Sequence, residues 1–251
     1  MKLLKTFVLI LAVNFCLLQS VHALPTITTV LLDATGSISE SDFRLENQAA
    51  ESILTNLYEG NKINPNIDQP EDYFTVAWFG GYNQYQQGPY ITTSDYYRYN
   101  MLRTQLKRVQ HPKYDKTAIY SALSLAAVQL YFQEMKLGKK CLKVIHLVTD
   151  GQDNASPFEA KKTIVSNFPN TEFRIHIIGV GPDASITEFS QIAEQVTHIN
   201  DYANVGGTII LYHNQLKNQP EPGNTRANKS RLHITPEMEK KMFDEFIGKF
   251  K

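Results

Sequence analysis

The side chains best suited to chemistry in this sequence carry oxygen, and they fall at three separate places. Asp33, Thr35 and Ser37 alternate directly after an apolar run, Thr117 precedes a helical stretch, and Asp150 follows a second apolar run. Alternate residues of a turn can direct one carboxylate and two hydroxyls toward the same point. Oxygen-only ligands favour hard divalent cations such as Mg²⁺, with Mn²⁺ or Ca²⁺ as alternatives. The pattern therefore predicts a cation site made by these five residues.

Apolar runs of strand length indicate which elements must position this site. Near-continuous runs occur at 27–32, 74–79, 144–148 and 175–180. Helical stretches lie at about 42–58, 96–109, 118–137, 157–167, 186–195 and 204–217. Near-continuous apolarity is typical of strands that are covered on both faces. The alternation predicts an α/β fold, a doubly wound and mostly parallel sheet flanked by helices, in which ligands bind beyond the carboxyl ends of the strands.

At these residues the sequence resembles the von Willebrand factor A (vWA) domain family, over about 26–216. The metal-ion-dependent adhesion site (MIDAS) of that family combines an Asp-x-Ser-x-Ser strand end with a distant Thr and a distant Asp. The resemblance implies a Rossmann-like fold in which Thr35 and Ser37 are direct hydroxyl ligands. It implies that Asp33, Thr117 and Asp150 bind the ion directly or through water, and that an acidic group of a protein partner completes the coordination. Thr35 stands where the family usually has Ser, so it keeps the hydroxyl and adds a methyl group.

Two other interpretations of these residues stay open. Asp, Ser and Thr also cap helices, so the turn from Asp33 to Ser37 is equally typical of a capping turn in a structural or assembly module with a vestigial, metal-free site. Aspartates with a metal also support hydrolysis. However, Thr35 occupies the position where a haloacid-dehalogenase-like phosphatase requires a second Asp, and the sequence has no Gly-x-Ser-x-Gly motif. We therefore expect a binding protein rather than an enzyme, with a metal-dependent hydrolase as an alternative.

A tyrosine-rich segment and two histidines are further candidates. Residues 80–99 are predicted to form a surface excursion, and Tyr82, Tyr85 and Tyr90 are predicted to form a ligand-recognition rim, because Tyr joins apolar area to a hydrogen-bonding tip. Ordinary packing of these tyrosines is an equal alternative.

His146 and His176 fall inside apolar runs, so we expect them to be core residues with satisfied hydrogen bonds.

The two ends of the chain set the expected domain organisation. Residues 1–23 place lysines before an apolar run and small residues, a pattern typical of a secretory signal peptide, so we expect a secreted or extracytoplasmic protein. The vWA-like domain is predicted over 24–217 and a polar linker over 218–230. Residues 231–251 carry an apolar stripe at helical spacing and predict a C-terminal amphipathic helix.

The charge and cysteine content of the chain argue against several kinds of partner and against a disulfide bond. Without residues 1–23 the chain has 23 basic and 25 acidic residues, a net charge of −2, so nucleic acid is not expected as a partner. No later stretch is apolar enough to cross a bilayer. Membrane contact is not expected either, because the polar face opposite the apolar stripe of 231–251 mixes lysines with acidic residues. Cys141 is then the only cysteine, which excludes an intramolecular disulfide. The sequence leaves the oligomeric state open.

Overall fold

The computed structural model describes residues 24–63, 71–167, 173–182, 184 and 186–218. The strands are β1 (Thr26–Asp33), β2 (Tyr73–Phe79), β3 (Tyr85–Gln87), β4 (Ile91–Thr92), β5 (Leu142–Thr149), β6 (Phe173–Val180) and β7 (Gln195–Ile199). The α-helices are α1 (Glu40–Ile63), α2 (Tyr96–Arg108), α3 (Ile119–Leu137), α4 (Phe158–Asn167) and α5 (Val205–Asn218). Two 3₁₀ helices span Thr187–Gln191 and Tyr202–Asn204.

The seven strands form one mixed sheet with the order β3-β2-β1-β5-β6-β7, and β4 also pairs with β2. β1, β2, β5, β6 and β7 run parallel, whereas β3 and β4 run antiparallel to β2. The chain therefore leaves β1 first toward β2 and later returns to its other side as β5. This reversal of strand order is the switch point at which open α/β sheets bind ligands. The predicted doubly wound, mostly parallel sheet is confirmed.

Helices cover both faces of the sheet, which explains the continuous apolar runs. On one face, α1, α2 and α5 bury Leu54, Leu102 and Ile209 in the same core cluster as Val30 of β1. On the other face, α3, α4 and the first 3₁₀ helix form a second cluster around Leu123, Ile164, Phe189 and Ile145. Every residue of β1 and β2 is consequently buried.

Two sequence predictions about individual elements are wrong. The predicted helix at about 186–195 is instead the 3₁₀ helix Thr187–Gln191 followed by β7. β7 lies at the sheet edge and is partly exposed along its length, so it lacks the continuous apolar pattern that marks the central strands. Residues 80–99, predicted only as a surface excursion, contribute the short strands β3 and β4.

Several predictions concern parts of the chain that lie outside the described residues. These are the signal peptide at 1–23, the linker at 218–230 apart from Asn218, and the C-terminal helix at 231–251. In the ranges that the structure does describe, no helix is both long and apolar enough to span a membrane.

Candidate metal centre

Asp33 is the last residue of β1, and its side chain is fully buried. Its Oδ2 accepts a hydrogen bond from Thr149 Oγ1 at 2.6 Å, and its Oδ1 accepts one from the Thr35 amide at 3.1 Å. Burial raises the pKa of Asp33 to about 7, with a further rise from the charge of Asp150, although these hydrogen bonds oppose the increase. Two neutral donors thus hold the carboxylate in place without a positive charge beside it.

Hydrogen bonds join Thr35, Ser37 and Asp150 in a chain. Thr35 Oγ1 lies 2.9 Å from Ser37 Oγ, and Ser37 Oγ donates to Asp150 Oδ1 at 3.2 Å. Asp150 directly follows β5, the parallel neighbour of β1. Burial raises the pKa of Asp150, the Ser37 hydrogen bond opposes the rise, and the charge of Asp42 adds to it. The turn after β1 and the end of β5 are therefore in direct contact.

Thr117 is attached to the loop that follows Asp150. The Thr117 amide donates to Asn154 Oδ1 at 2.9 Å, while its carbonyl accepts from the amides of Asn154 at 2.9 Å and Ala155 at 3.1 Å. Its hydroxyl faces Gly151. The structure thus brings the five predicted ligands together where β1 and β5 end. Asp33, Thr35, Ser37 and Asp150 form a chain of hydrogen bonds. Thr117 is connected to them through the loop that follows Asp150.

Asp153 connects the same loop to the start of α3, although the sequence favours an exposed, solubilising carboxylate at this position over a support of the site. Its Oδ2 accepts from the Tyr120 amide at 2.9 Å, and its Oδ1 accepts from the Ser156 amide at 2.9 Å. Ser156 Oγ accepts from the Ser121 amide at 3.0 Å. The first amides of a helix have no partner within the helix, so these side chains satisfy them. The loop and the helix that follows Thr117 therefore hold each other in position.

Tyr114 braces the turn after β1. The Gly36 amide donates to the Tyr114 carbonyl at 2.8 Å, and the Tyr114 amide donates to the Ala34 carbonyl at 3.0 Å. Gly80, at the end of β2, approaches Tyr114 so closely that a Cβ on Gly80 would lie 2.2 Å from the Tyr114 Cβ. Only glycine fits this position. In the sequence, the one sign of this close approach is a glycine directly after an apolar run.

His111 also contacts the turn. Its ring stacks on Phe43 with the centroids 4.4 Å apart, and its Nε2 donates to the Thr35 carbonyl at 3.0 Å. A carbonyl oxygen only accepts, so this nitrogen carries the proton. His111 therefore supports the turn through the Thr35 carbonyl.

Glu46 of α1 adds a buried acid that sequence reasoning did not single out. The residue is fully buried, and neither carboxyl oxygen has a hydrogen-bond partner. Burial raises the pKa of Glu46 well above its ordinary value, and the charges of Asp33, Asp150 and Asp42 raise it further. Within the described part of the chain, no basic side chain forms an ion pair with Asp33, Glu46 or Asp150. We call these three residues the acidic edge.

The three tyrosines of the predicted rim do not lie together. Tyr85 and Tyr90 are half-buried and pack against the apolar core, and the Tyr90 hydroxyl lies 3.1 Å from Thr29 Oγ1. Burial raises the pKa of Tyr90 to about 12. Tyr82 instead lines a surface pocket of about 260 Å³ together with Lys116, the residue before Thr117. Of the three, Tyr82 is the one placed beside the candidate site.

The donor set matches a hard cation rather than a soft one. Asp33 and Asp150 supply carboxylates, and the other candidate ligands supply hydroxyls. Among the residues with described positions, no group of three or more His, Cys, Asp or Glu is placed to hold an ion. A site with two carboxylates and several neutral oxygens suits Mg²⁺, which retains several waters when protein supplies few ligands. The residues present therefore fit such an ion.

Comparison with solved structures supports the fold. Proximal thread matrix protein 1 from the mussel byssus superimposes with a TM-score of 0.53 and 18% identity, covering 75% of this chain and 46% of that one. A structure of the same protein with a zinc-occupied MIDAS motif gives 0.53 and 16%, covering 75% and 47%. The pilus adhesin SpaC from Lactobacillus rhamnosus GG, in an open conformation, gives 0.54 and 10%, covering 77% and 30%. This chain thus spans less than half the length of each of these structures.

Comparison at the sequence level identifies the family. No curated protein matches the chain in sequence. A family model of the von Willebrand factor type A domain matches residues 29–206, which is more than half of the chain and includes every strand of the sheet except the first three residues of β1. The chain therefore belongs to the von Willebrand factor type A domain family.

Proposed function

We propose that this protein binds a protein partner through a divalent cation held by Asp33, Thr35, Ser37, Thr117 and Asp150. The observation that carries the proposal is the hydrogen-bonded chain from Asp33 through Thr35 and Ser37 to Asp150 at the switch point of the sheet. A capping turn alone would not require contact with the end of a second strand.

The charge of the acidic edge supports a cation. Burial raises the pKa of each of Asp33, Glu46 and Asp150, and the charge of at least one neighbouring aspartate raises each of them further. A divalent ion would offset this repulsion and supply the missing positive partner. Mg²⁺ is the ion that we favour, with Mn²⁺ or Ca²⁺ as alternatives, and the zinc-occupied MIDAS of the byssus protein shows that a related site accepts zinc.

The exposure of the site supports recognition of a partner. Ser37 is exposed and Asp150 is half-buried, so this side of the site is open to solvent. Neutral hydroxyls leave the ion electrophilic, and an acidic side chain of the partner would replace one of its waters. Tyr82 and the pocket beside Thr117 would contact the surface around that acidic side chain.

A binding role outside the cell agrees with the relatives and with the start of the sequence. The matching structures include a byssal thread matrix protein and a pilus adhesin. Together with the predicted signal peptide, they support an adhesion or protein-interaction role for a secreted or extracytoplasmic protein. Hydrolysis is less well supported, because Thr35 stands where a haloacid-dehalogenase-like phosphatase requires a second Asp and the sequence has no Gly-x-Ser-x-Gly motif. We therefore propose a role without catalysis.

Calorimetric titration of Mg²⁺ and Mn²⁺ into the purified protein tests the metal site. Asp150→Asn should weaken binding by at least about tenfold, equivalent to about 1.4 kcal/mol, because a neutral amide replaces a carboxylate ligand. Asp115→Asn is the matched control, since Asp115 is an exposed acid near Thr117 and is not a predicted ligand. Equal losses in the two variants would mean that general negative charge, rather than the site, attracts the ion.

The dependence of partner binding on the metal is tested with a partner captured in Mg²⁺. Excess chelator should release this partner, and Asp150→Asn should fail to capture it. A partner that stays bound in chelator and tolerates Asp150→Asn would show that recognition uses another surface and that the site is structural or vestigial.

A further inference from the structure

A second group of buried titratable side chains lies between the sheet and α5. This histidine cluster consists of His146 on β5, His176 on β6 and His213 on α5, each at most 1% exposed. His146 and His176 are directly paired across the parallel strands, and their ring centroids are 5.7 Å apart. The His213 ring lies 5.9 Å from that of His146. Three imidazoles from three elements thus meet where α5 packs on the sheet.

The hydrogen bonding of these rings corrects the expectation that His146 and His176 are satisfied core residues. Neither ring nitrogen of His146 has a partner. His176 Nε2 lies 2.9 Å from Thr197 Oγ1, whereas His176 Nδ1 has no partner. A buried imidazole in this state is tolerable only while it is neutral, because an imidazolium would carry an unpaired charge in an apolar interior.

The groups that face His146 do not offer it a compensating negative charge. Besides the other two histidines, Tyr212 of α5 packs edge-on at 5.8 Å and lies 4.5 Å from the His176 ring. The Tyr212 hydroxyl donates to Glu194 Oε2 at 3.0 Å, and Glu194 is in turn paired with Arg174 of β6. The Glu194 carboxylate is therefore engaged by a phenol and a guanidinium.

A resident metal does not account for the cluster. Imidazole is a good ligand for zinc and other transition metals. In the part of the chain that the structure describes, however, no three His, Cys, Asp or Glu side chains are arranged to hold one ion. The cluster therefore has the character of a proton-sensitive contact between α5 and the sheet.

We propose that the histidine cluster is an acid-sensitive lock, which holds α5 on the sheet at neutral pH and releases it when His146 and His176 are protonated. Protonation should affect the packing of α5 most, because Tyr212 and His213 of this helix form one side of the cluster. Detachment of α5 would let water reach both strand histidines. The apolar contacts of Leu216 with Val144 would be lost at the same time.

The direction of the pH dependence follows from the shifted pKa values. Burial lowers the pKa of His146 well below its ordinary value, with the neighbouring histidines adding to the effect, and burial lowers the pKa of His176 to about 4. In the detached state both rings regain an ordinary pKa of about 6.5. The docked state is therefore fully favoured above about pH 6.5 and is lost as the pH falls below it. Each of the two histidines shifts the docking equilibrium by up to about tenfold per pH unit in this window.

Hydrogen exchange at about pH 7.5 and about pH 5, corrected for intrinsic exchange rates, tests the lock. In wild type, the amides of α5 should lose protection at the lower pH while those of α3, on the opposite face, keep theirs. His146→Leu should retain more α5 protection than wild type at the lower pH. His198→Gln, which removes an exposed histidine of β7, is the matched control and should behave like wild type.

Four outcomes would overturn the proposal. In the exchange experiment, these are an equal loss of protection in α5 and α3, or equal acid sensitivity of wild type and His146→Leu. The other two are an NMR titration in which α5 detaches while His146 stays neutral, and protection of α5 by added zinc in wild type but not in His146→Leu. If His146→Leu does not fold, His146→Gln is used instead, and the NMR titration of wild type decides independently.

Discussion

The acidic edge and the histidine cluster place buried titratable groups at two points of the same sheet, with opposite surroundings. His146 of β5 and Asp150, which directly follows this strand, lie about 13 Å apart, from the usual rise of a strand. At the acidic edge, Asp33 and Asp150 meet hydroxyl and amide donors, and Ser37 beside them is exposed. In the histidine cluster the rings meet one another and Tyr212, and α5 closes over them.

These opposite surroundings determine what each region can bind. Carboxylates fixed by neutral donors next to solvent leave oxygen lone pairs for a cation from outside. Imidazoles closed under a helix can accept only a proton without rearrangement. The two regions also change the stability with pH in opposite directions. Acids with a raised pKa stabilise the folded state at low pH, and this contribution is lost as the pH rises. Histidines with a lowered pKa stabilise the folded state at high pH, and this contribution is lost as the pH falls.

Gly80→Ala should have the largest effect on the acidic edge. The new Cβ would lie 2.2 Å from the Tyr114 Cβ, so the brace of the turn after β1 must move. We expect a loss of roughly 2–4 kcal/mol in the free energy of unfolding, measured with urea, and weaker stabilisation by Mg²⁺. Gly60→Ala is the control, because nothing lies within 4 Å of that position in α1. Similar losses in both variants would contradict the bracing role of Tyr114.

Glu46→Met should stabilise the protein in chelator by roughly 1–3 kcal/mol, because a buried acid without a partner is replaced by an apolar side chain of similar size. Metal affinity should fall only a few-fold, since Glu46 is not a predicted ligand. Glu51→Met provides the comparison: Glu51 is paired with Arg103 and Lys107, so its removal should bring no gain. If Glu46→Met abolishes metal binding, Glu46 belongs to the coordination sphere and the five-residue site is incomplete.

Thr35→Ser should have the smallest effect. The substitution restores the residue usual in the family and keeps the hydroxyl that contacts Ser37. Calorimetric affinity for Mg²⁺ should stay within about threefold of wild type, or about 0.7 kcal/mol. Thr35→Val removes the hydroxyl but keeps the shape, so it should weaken binding more than Thr35→Ser. Equal affinities of these two variants would show that Thr35 is not a ligand.

The central strands could be predicted from the sequence because helices cover both of their faces. β1 and β2 are buried at every residue, so their apolar runs are continuous. β7 could not be recognised in this way, because an edge strand of five residues is only partly covered. The stretch around 186–195 was therefore assigned to a helix, although Phe189 packs there as part of a 3₁₀ helix.

The candidate ligands could be located because they follow a strand or precede a helix, but the residues that support them depend on tertiary contacts. Thr149 and Tyr114 are ordinary residues in the sequence and gain their roles only when β1, β2 and β5 come together. Glu46 is a different case. Its helical spacing, three residues after Phe43 and four before Ala50, places it on the buried stripe of α1, so the sequence did contain the signal.

Line broadening of amide NMR signals by substoichiometric Mn²⁺ would locate a bound cation, because paramagnetic broadening falls steeply with distance from the ion. We expect the strongest broadening at Gly36, Thr117 and Gly151 and weaker broadening at His146. The effect should be lost in Asp150→Asn but not in Asp115→Asn. Broadening that is strongest at the histidine cluster, or that persists unchanged in Asp150→Asn, would contradict a cation site at the acidic edge.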